Sequence, residues 1–283
     1  RKSQTTGSLS CKKCITSRQF ARVGTIVNGC LSAHDQIMET LMTHRPFTIG
    51  IIAGSGPEAG MDLWGKVVVQ TQKQLGDGFR GDIDAPRVVI VSEPQLGLSM
   101  DLRRNEADTW AALEQTVRQI APQVDVFAIA CNTLNWFAPR IEKLLDSLPD
   151  SGEFLSFQSV LGQKLAQTEH SRVGLLAAGP VAALDDFSVY AAMGSTGLFE
   201  TPDDADALHG LIEDVKRLGQ SDPSLSPRMA AVAQSLTSEI VVLACTELPL
   251  IAKPMRGKTF IDVTECVAET LAARAINAEG AKI

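Results

Sequence analysis

From Phe47 onward the chain alternates short apolar runs with longer stretches of helical periodicity, and no other feature constrains its fold as tightly. Thr48-Ile-Gly-Ile-Ile-Ala53 ends at glycines, after which Glu58 to Leu75 can be helical. Pro86-Arg-Val-Val-Ile-Val91 is the next run. Arg103 to Ile120 follows as an amphipathic helix with Trp110, Leu113, Val117 and Ile120 along one face. A third run, Val124 to Ile129, precedes a helix-like stretch around Arg140 to Leu148. Apolar runs without in/out alternation, separated by helices, belong to a parallel sheet covered on both faces. With aromatics at 5% of a 45% hydrophobic chain, the core must be built mainly from Val, Ile, Leu and Ala.

The pattern then restarts. Val173-Gly-Leu-Leu-Ala-Ala-Gly-Pro180 echoes Ile49-Gly-Ile-Ile-Ala-Gly-Ser-Gly-Pro57, and each is followed further along by an apolar run ending in Ala-Cys. Recurrence in the same order indicates an internal duplication. The expected fold class is α/β, two pseudo-symmetric doubly wound parallel-sheet domains with the active site between them. The halves are residues 47–152 and 153–283, divided near Pro149-Asp-Ser-Gly152, and the first half can exchange its C-terminal helix with the second.

Residues 1–46 differ in kind. They hold seven Lys/Arg against Asp35 and Glu39, are rich in Ser and Thr, and lack periodicity. They read as a leader or disordered extension, with organelle targeting as one use and a cytoplasmic protein as the default. This stretch is expected to be dispensable for folding and activity. A net charge of −7 argues against a nucleic-acid or anionic-membrane partner. No apolar run approaches the roughly 18 residues of a membrane helix.

Chemistry concentrates in two segments, Ala130-Cys131-Asn132-Thr133 and Ala244-Cys245-Thr246-Glu247. Each thiol stands at the carboxyl end of an expected buried strand, where open α/β sheets bind their ligands. A single buried Cys is most simply an inert small hydrophobe, as Cys266 is read here. Two in equivalent positions suggest thiols facing one another across a cleft. Helix N-termini there are expected to lower the thiol pKa below the reference of about 8.5. Gly54-Ser55-Gly56-Pro57 follows a strand and opens a helix, a loop suited to an anionic group. As G-x-G-x-x-A it also matches a dinucleotide fingerprint, but the acidic residue expected about 20 residues later is missing. Cys11-Lys-Lys-Cys14 is a lone C-x-x-C without a second ligand pair, and the four histidines form no metal set. Neither a G-x-S-x-G elbow nor a Walker loop occurs.

At these motifs, together with Glu213-Asp-Val-Lys216-Arg-Leu-Gly219, the chain resembles the aspartate/glutamate/hydantoin racemase superfamily over about residues 47 to 277, and within it the aspartate racemase branch. Cys245-Thr246-Glu247 follows the aspartate pattern, whereas glutamate racemases usually have Cys-Thr-His. The resemblance implies no pyridoxal phosphate, no metal, no other cofactor, a small amino-acid or dicarboxylate substrate, and a homodimer. It implies Cys131 and Cys245 as catalytic acid and base, with Ser55, Gly56, Asn132, Thr133, Thr246, Glu247 and Lys216 around the substrate. Departures touch the substrate shell. Ser92-Glu93-Pro94-Gln95 replaces a Pro-Asp-Arg-Thr-like segment, Ala177-Ala178-Gly179-Pro180 replaces Ala-Thr and Gly-Thr, and Leu134-Asn135 stands in place of Ala-His. Racemase chemistry is therefore a firmer expectation than aspartate as substrate. The alternatives are a same-fold isomerase or racemase for another carboxylate (maleate) or a hydantoin, and more distantly an NAD-binding oxidoreductase or a non-catalytic carboxylate-binding protein.

Overall fold

The computed structural model describes residues 46–169 and 172–280, so the expectations for residues 1–45, including the Cys11/Cys14 pair, lie outside the described residues. The first sheet and the helices between and after its strands run β1 (Thr48–Ala53), α1 (Pro57–Leu75), β2 (Arg87–Ser92), α2 (Leu102–Ile120), β3 (Val126–Ile129), α3 (Ala138–Leu145), β4 (Glu153–Phe154) and α4 (Phe157–Ala166). The second runs β5 (Val173–Ala177), α5 (Gly179–Ala182), α6 (Ala191–Gly194), β6 (Phe199–Glu200), α7 (Ala205–Leu218), α8 (Leu225–Ser235), β7 (Ile240–Ala244), α9 (Leu248–Ile251), β8 (Thr259–Asp262) and α10 (Val263–Gly280).

Two four-stranded sheets form, ordered β2-β1-β3-β4 and β6-β5-β7-β8, with every pairing parallel. The two orders are the same topology twice, as the duplicated motif suggested. β1, β3 and β5 are buried along their whole length, which is why they read as continuous apolar runs. β2 is a half-exposed edge strand with Ile90 at 43% exposure, so cover on both faces fails there.

The halves are not independent cores. One cluster joins Ile49 and Ile51 of β1, Val126 and Ala128 of β3, Val173 and Leu175 of β5, and Val242 and Ala244 of β7. Phe157 and Leu161 of α4 and Val267 and Leu271 of α10 complete it. The last helix, α10, packs on α1, and polar contacts fix that register: Gln70 Nε2 donates to Glu265 Oε1 at 3.0 Å, and Lys66 lies 2.7 Å from Asp262. β4 follows the Pro149–Gly152 boundary in sequence yet pairs with β3, so the first sheet takes its fourth strand from just beyond that boundary.

Candidate active site

In each sheet the chain steps from its first strand outward to the second, then back past the first to the third. The strand carboxyl ends between the first and third strands are a topological switch point, where two crossovers diverge and leave a crevice. Cys131 lies two residues past β3 and Cys245 directly past β7, the equivalent third strands. The loop after β1 carries Ser55 into the same crevice.

These switch points meet in one narrow cavity. The first half contributes Ser55, Met100, Cys131, Asn132 and Thr133; the second contributes Ala178, Lys216, Cys245, Thr246 and Glu247. Every site residue expected from the sequence is therefore brought together, with Gly56 immediately behind Glu247. Met100 and Ser99, on the 3₁₀ segment Pro94–Asp101, and Tyr190 are additions that no motif marked.

Hydroxyl groups surround the thiol of the first half. Cys131 Sγ donates to Ser55 Oγ at 3.4 Å, Ser55 and Ser99 share a hydrogen bond at 2.8 Å, and Ser99 Oγ lies 4.0 Å from Cys131 Sγ. The serine pair sits 3% and 1% exposed, so its geometry is held by packing. Asn135 fixes the Cys131 turn from below: Nδ2 donates to the Cys131 carbonyl at 2.8 Å, and Oδ1 accepts from Phe157 N–H at 2.8 Å. The departure at this position thus serves the backbone of the Cys131 segment.

A charged pair surrounds the other thiol. Cys245 Sγ donates to Glu247 Oε2 at 3.1 Å, and Glu247 Oε1 takes the ammonium of Lys216. Lys216 also donates to the Ser55 carbonyl at 2.9 Å, tying α7 of the second half to the β1–α1 loop of the first. Thr246 Oγ1 donates to the Ala130 carbonyl at 3.3 Å, a second link across the crevice. Burial, and then the Glu247 charge, push the Cys245 thiol well above its ordinary value, with Lys216 only partly offsetting them. The expected lowering by a helix N-terminus is corrected here: α9 is a single turn, while desolvation and a carboxylate in contact act at full strength. Burial pulls the Lys216 ammonium down, but Glu247 and the two cysteine thiols together outweigh it and hold the ammonium charged.

The glycine loop also meets an anion of the protein's own. Gly54 and Gly56 have φ of 114° and 108°, a region that disfavours side chains. A methyl group at Gly56 would stand 2.0 Å from Glu247 Oε1. The carboxylate therefore rests against the start of α1, whose amide dipoles favour negative charge.

One expected result follows for stability against pH. A thiol raised in the folded state stabilises the fold below its unfolded pKa of about 8.5, and that contribution is lost as pH climbs toward the folded value. The stability of Cys245→Ser should therefore fall less steeply above pH 8.5 than that of the wild type, read from urea midpoints at pH 7, 8, 9 and 10. Parallel profiles would contradict the assigned shift.

A duplicated α/β fold with a thiol at each switch point is the signature of a class of racemases. The family model for Asp/Glu/hydantoin racemase matches residues 52–271, and the chain belongs to that family. Among solved structures, Picrophilus torridus aspartate racemase superposes with a TM-score of 0.62 at 20% identity, covering 83% of this chain and 94% of the other. An aspartate racemase homologue from Pyrococcus horikoshii gives 0.59 at 19% identity over 81% and 99%. Campylobacter jejuni glutamate racemase gives 0.52 at 15% identity over 81% and 86%. These likenesses are in fold. No helix among the described residues is long and apolar enough to cross a membrane.

Proposed function

We propose that this protein is a cofactor-independent amino-acid racemase in which Cys131 and Cys245 work from opposite faces of one α-carbon. Aspartate is the preferred substrate over glutamate. The observation that carries the reading is the pair of thiols at equivalent switch points lining a single cavity. One thiolate removes the α-proton as general base, the electron pair passes into the α-carboxylate as an enolate, and the opposing thiol delivers its proton to the other face. The thiol becomes a thiolate and the thiolate a thiol, so the product leaves an enzyme ready for the reverse reaction.

In this reading the two thiols rest in different roles. Cys245, raised by burial and by Glu247, waits as the acid. Cys131, once ionised, accepts from the hydroxyls of Ser55 and Ser99, which already lie beside its sulfur. The substrate ammonium is suited to Glu247, and its arrival offsets the charge that keeps Cys245 protonated. The enolate needs donors where charge develops, and Asn132, Thr133 and Thr246 line that space. Lys216 is the cation for a distal carboxylate, sharing its charge with Glu247. A homodimer belongs to the same proposal, with the half-exposed edge strand β2 as an apolar element to cover.

Deuterium exchange at the α-carbon, followed by NMR in D₂O over both enantiomers of aspartate and glutamate and over hydantoins, tests this. Exhaustively dialysed, chelator-treated enzyme should exchange and invert aspartate without added NAD, pyridoxal phosphate or metal. Exchange restored only by one of those additions overturns the cofactor-free mechanism. Maleate isomerised while no amino acid exchanges would move the reading to the same-fold isomerase.

A further inference from the structure

Asn132 has an unbalanced environment. Its side chain is 2% exposed, it lines the cavity beside Cys131, and its Nδ2 has no hydrogen-bond partner among the described residues. Its Oδ1 is taken, because the Tyr190 hydroxyl donates to it at 2.5 Å from across the two halves. Tyr190 is the only tyrosine in the chain and is fully buried. A buried donor left without an acceptor is costly, so the pair persists in this arrangement only if something outweighs that cost.

The phenol decides which way the amide points. A tyrosine hydroxyl carries one proton, and Asn132 Oδ1 is the acceptor it meets. Turning the amide over would satisfy Nδ2 but strand the phenolic proton in a dry interior. Burial pushes the phenol far above its ordinary pKa, so that proton stays on. The tyrosine is itself held: its N–H donates to Ser188 Oγ at 3.2 Å, and Ser188 Oγ donates to the Val181 carbonyl at 2.7 Å. The segment before it is clamped to the first half, where Trp136 Nε1 donates to the Asp186 carbonyl at 2.7 Å and the Trp136 ring stacks on Phe187 at 5.0 Å.

We infer that Tyr190 is a positioning residue that locks the Asn132 amide with both N–H groups turned toward the cavity, preorganised for a carboxylate oxygen of the ligand. The inference rests on the racemase reading for which carboxylate is involved, the α-carboxylate that gathers enolate charge. The lock itself rests on geometry alone. Preorganised donors of this kind act where charge grows and need no reorientation during the reaction. They also select for a ligand presenting an oxygen acceptor at that point.

The test is a double-mutant cycle of Tyr190→Phe and Asn132→Ala, read in two ways: kcat/KM for racemisation, and the dissociation constant of succinate, an unreactive carboxylate. Tyr190→Phe alone should keep the wild-type melting temperature within a few degrees, lower kcat/KM on the order of a hundredfold, and weaken succinate about tenfold. On the Asn132→Ala background it should cost less than twofold in either measure, because the tyrosine acts through that amide. Equal losses on both backgrounds, or a loss within twofold in the wild type, overturn the lock. Asn132→Asp supplies a second check: it still accepts from Tyr190 but brings no N–H, so it should fold normally and bind no succinate. If the wild type exchanges no α-proton yet the cycle couples in succinate binding, the racemase reading fails and the lock stands. A wild type that binds no carboxylate at all overturns the lock.

Discussion

Cys131→Ala and Cys245→Ala should each lose racemisation by several orders of magnitude, yet fail in opposite ways. The α-proton of an amino acid is a far weaker acid than a thiol, whose reference pKa is about 8.5, and only a positioned thiolate bridges that gap. Cys131→Ala retains the base on the other face, so it should still exchange deuterium into the enantiomer whose hydrogen faces Cys245. Cys245→Ala should do the reverse. NMR of each pure enantiomer in D₂O with both variants separates the cases. Near wild-type inversion by either variant would make that thiol a core residue, as its burial of 8% or 6% exposure alone would allow. The two surroundings predict a further asymmetry. Exchange by Cys131→Ala depends on ionising the thiol beside Glu247, so its rate should still be rising with pH above the ordinary thiol range.

Lys216→Met should be strongly damaging to both stability and activity. It removes the ammonium from a carboxylate whose side chain is only 5% exposed, and it cuts the link to the Ser55 carbonyl. Breaking one side of a buried pair leaves an uncompensated charge, at a cost of about 3–5 kcal/mol. With Lys216 gone, the neighbouring charge that lowers the Cys245 pKa is lost, so the activity profile should shift to higher pH as well as lower amplitude. Urea unfolding and pH–rate profiles check both halves of the expectation. Lys216→Met combined with Glu247→Gln should recover most of the stability, since no lone charge remains, but not the activity. Stability unchanged in the single variant would mean that the pair is solvated in solution and that Glu247 is not the group controlling Cys245.

Much of this was legible before any tertiary structure. The parallel strands follow from apolar runs without alternation, and the catalytic candidates follow from their place at the ends of those runs. That place is a local property of the chain: once Val126–Ile129 and Ile240–Ala244 are strands, Cys131 and Cys245 must emerge at their carboxyl ends. The repeated motif likewise implied a repeated topology, and the two sheets have the same strand order.

Other features depend on groups distant in sequence, and periodicity carries no record of them. Met100 reaches the cavity from a 3₁₀ segment without a motif, Ser99 of the same segment backs Ser55 and Cys131, and Tyr190 backs Asn132 from an irregular stretch clamped by Trp136. The glycine loop had the form of an anion cradle, but only the packed halves show that Glu247 fills the space beside Gly56. Burial, joined by Glu247, also reverses the expected sign of the Cys245 shift. Sequence neighbours suggested a helix terminus stabilising a thiolate, while the folded site supplies desolvation and a carboxylate two residues away turned onto the sulfur. The chain's own order determined which residues stand at the strand ends. Their charges, partners and protonation were decided only when the two halves closed on each other, because electrostatic and hydrogen-bond terms depend on separation in space and on exclusion of water.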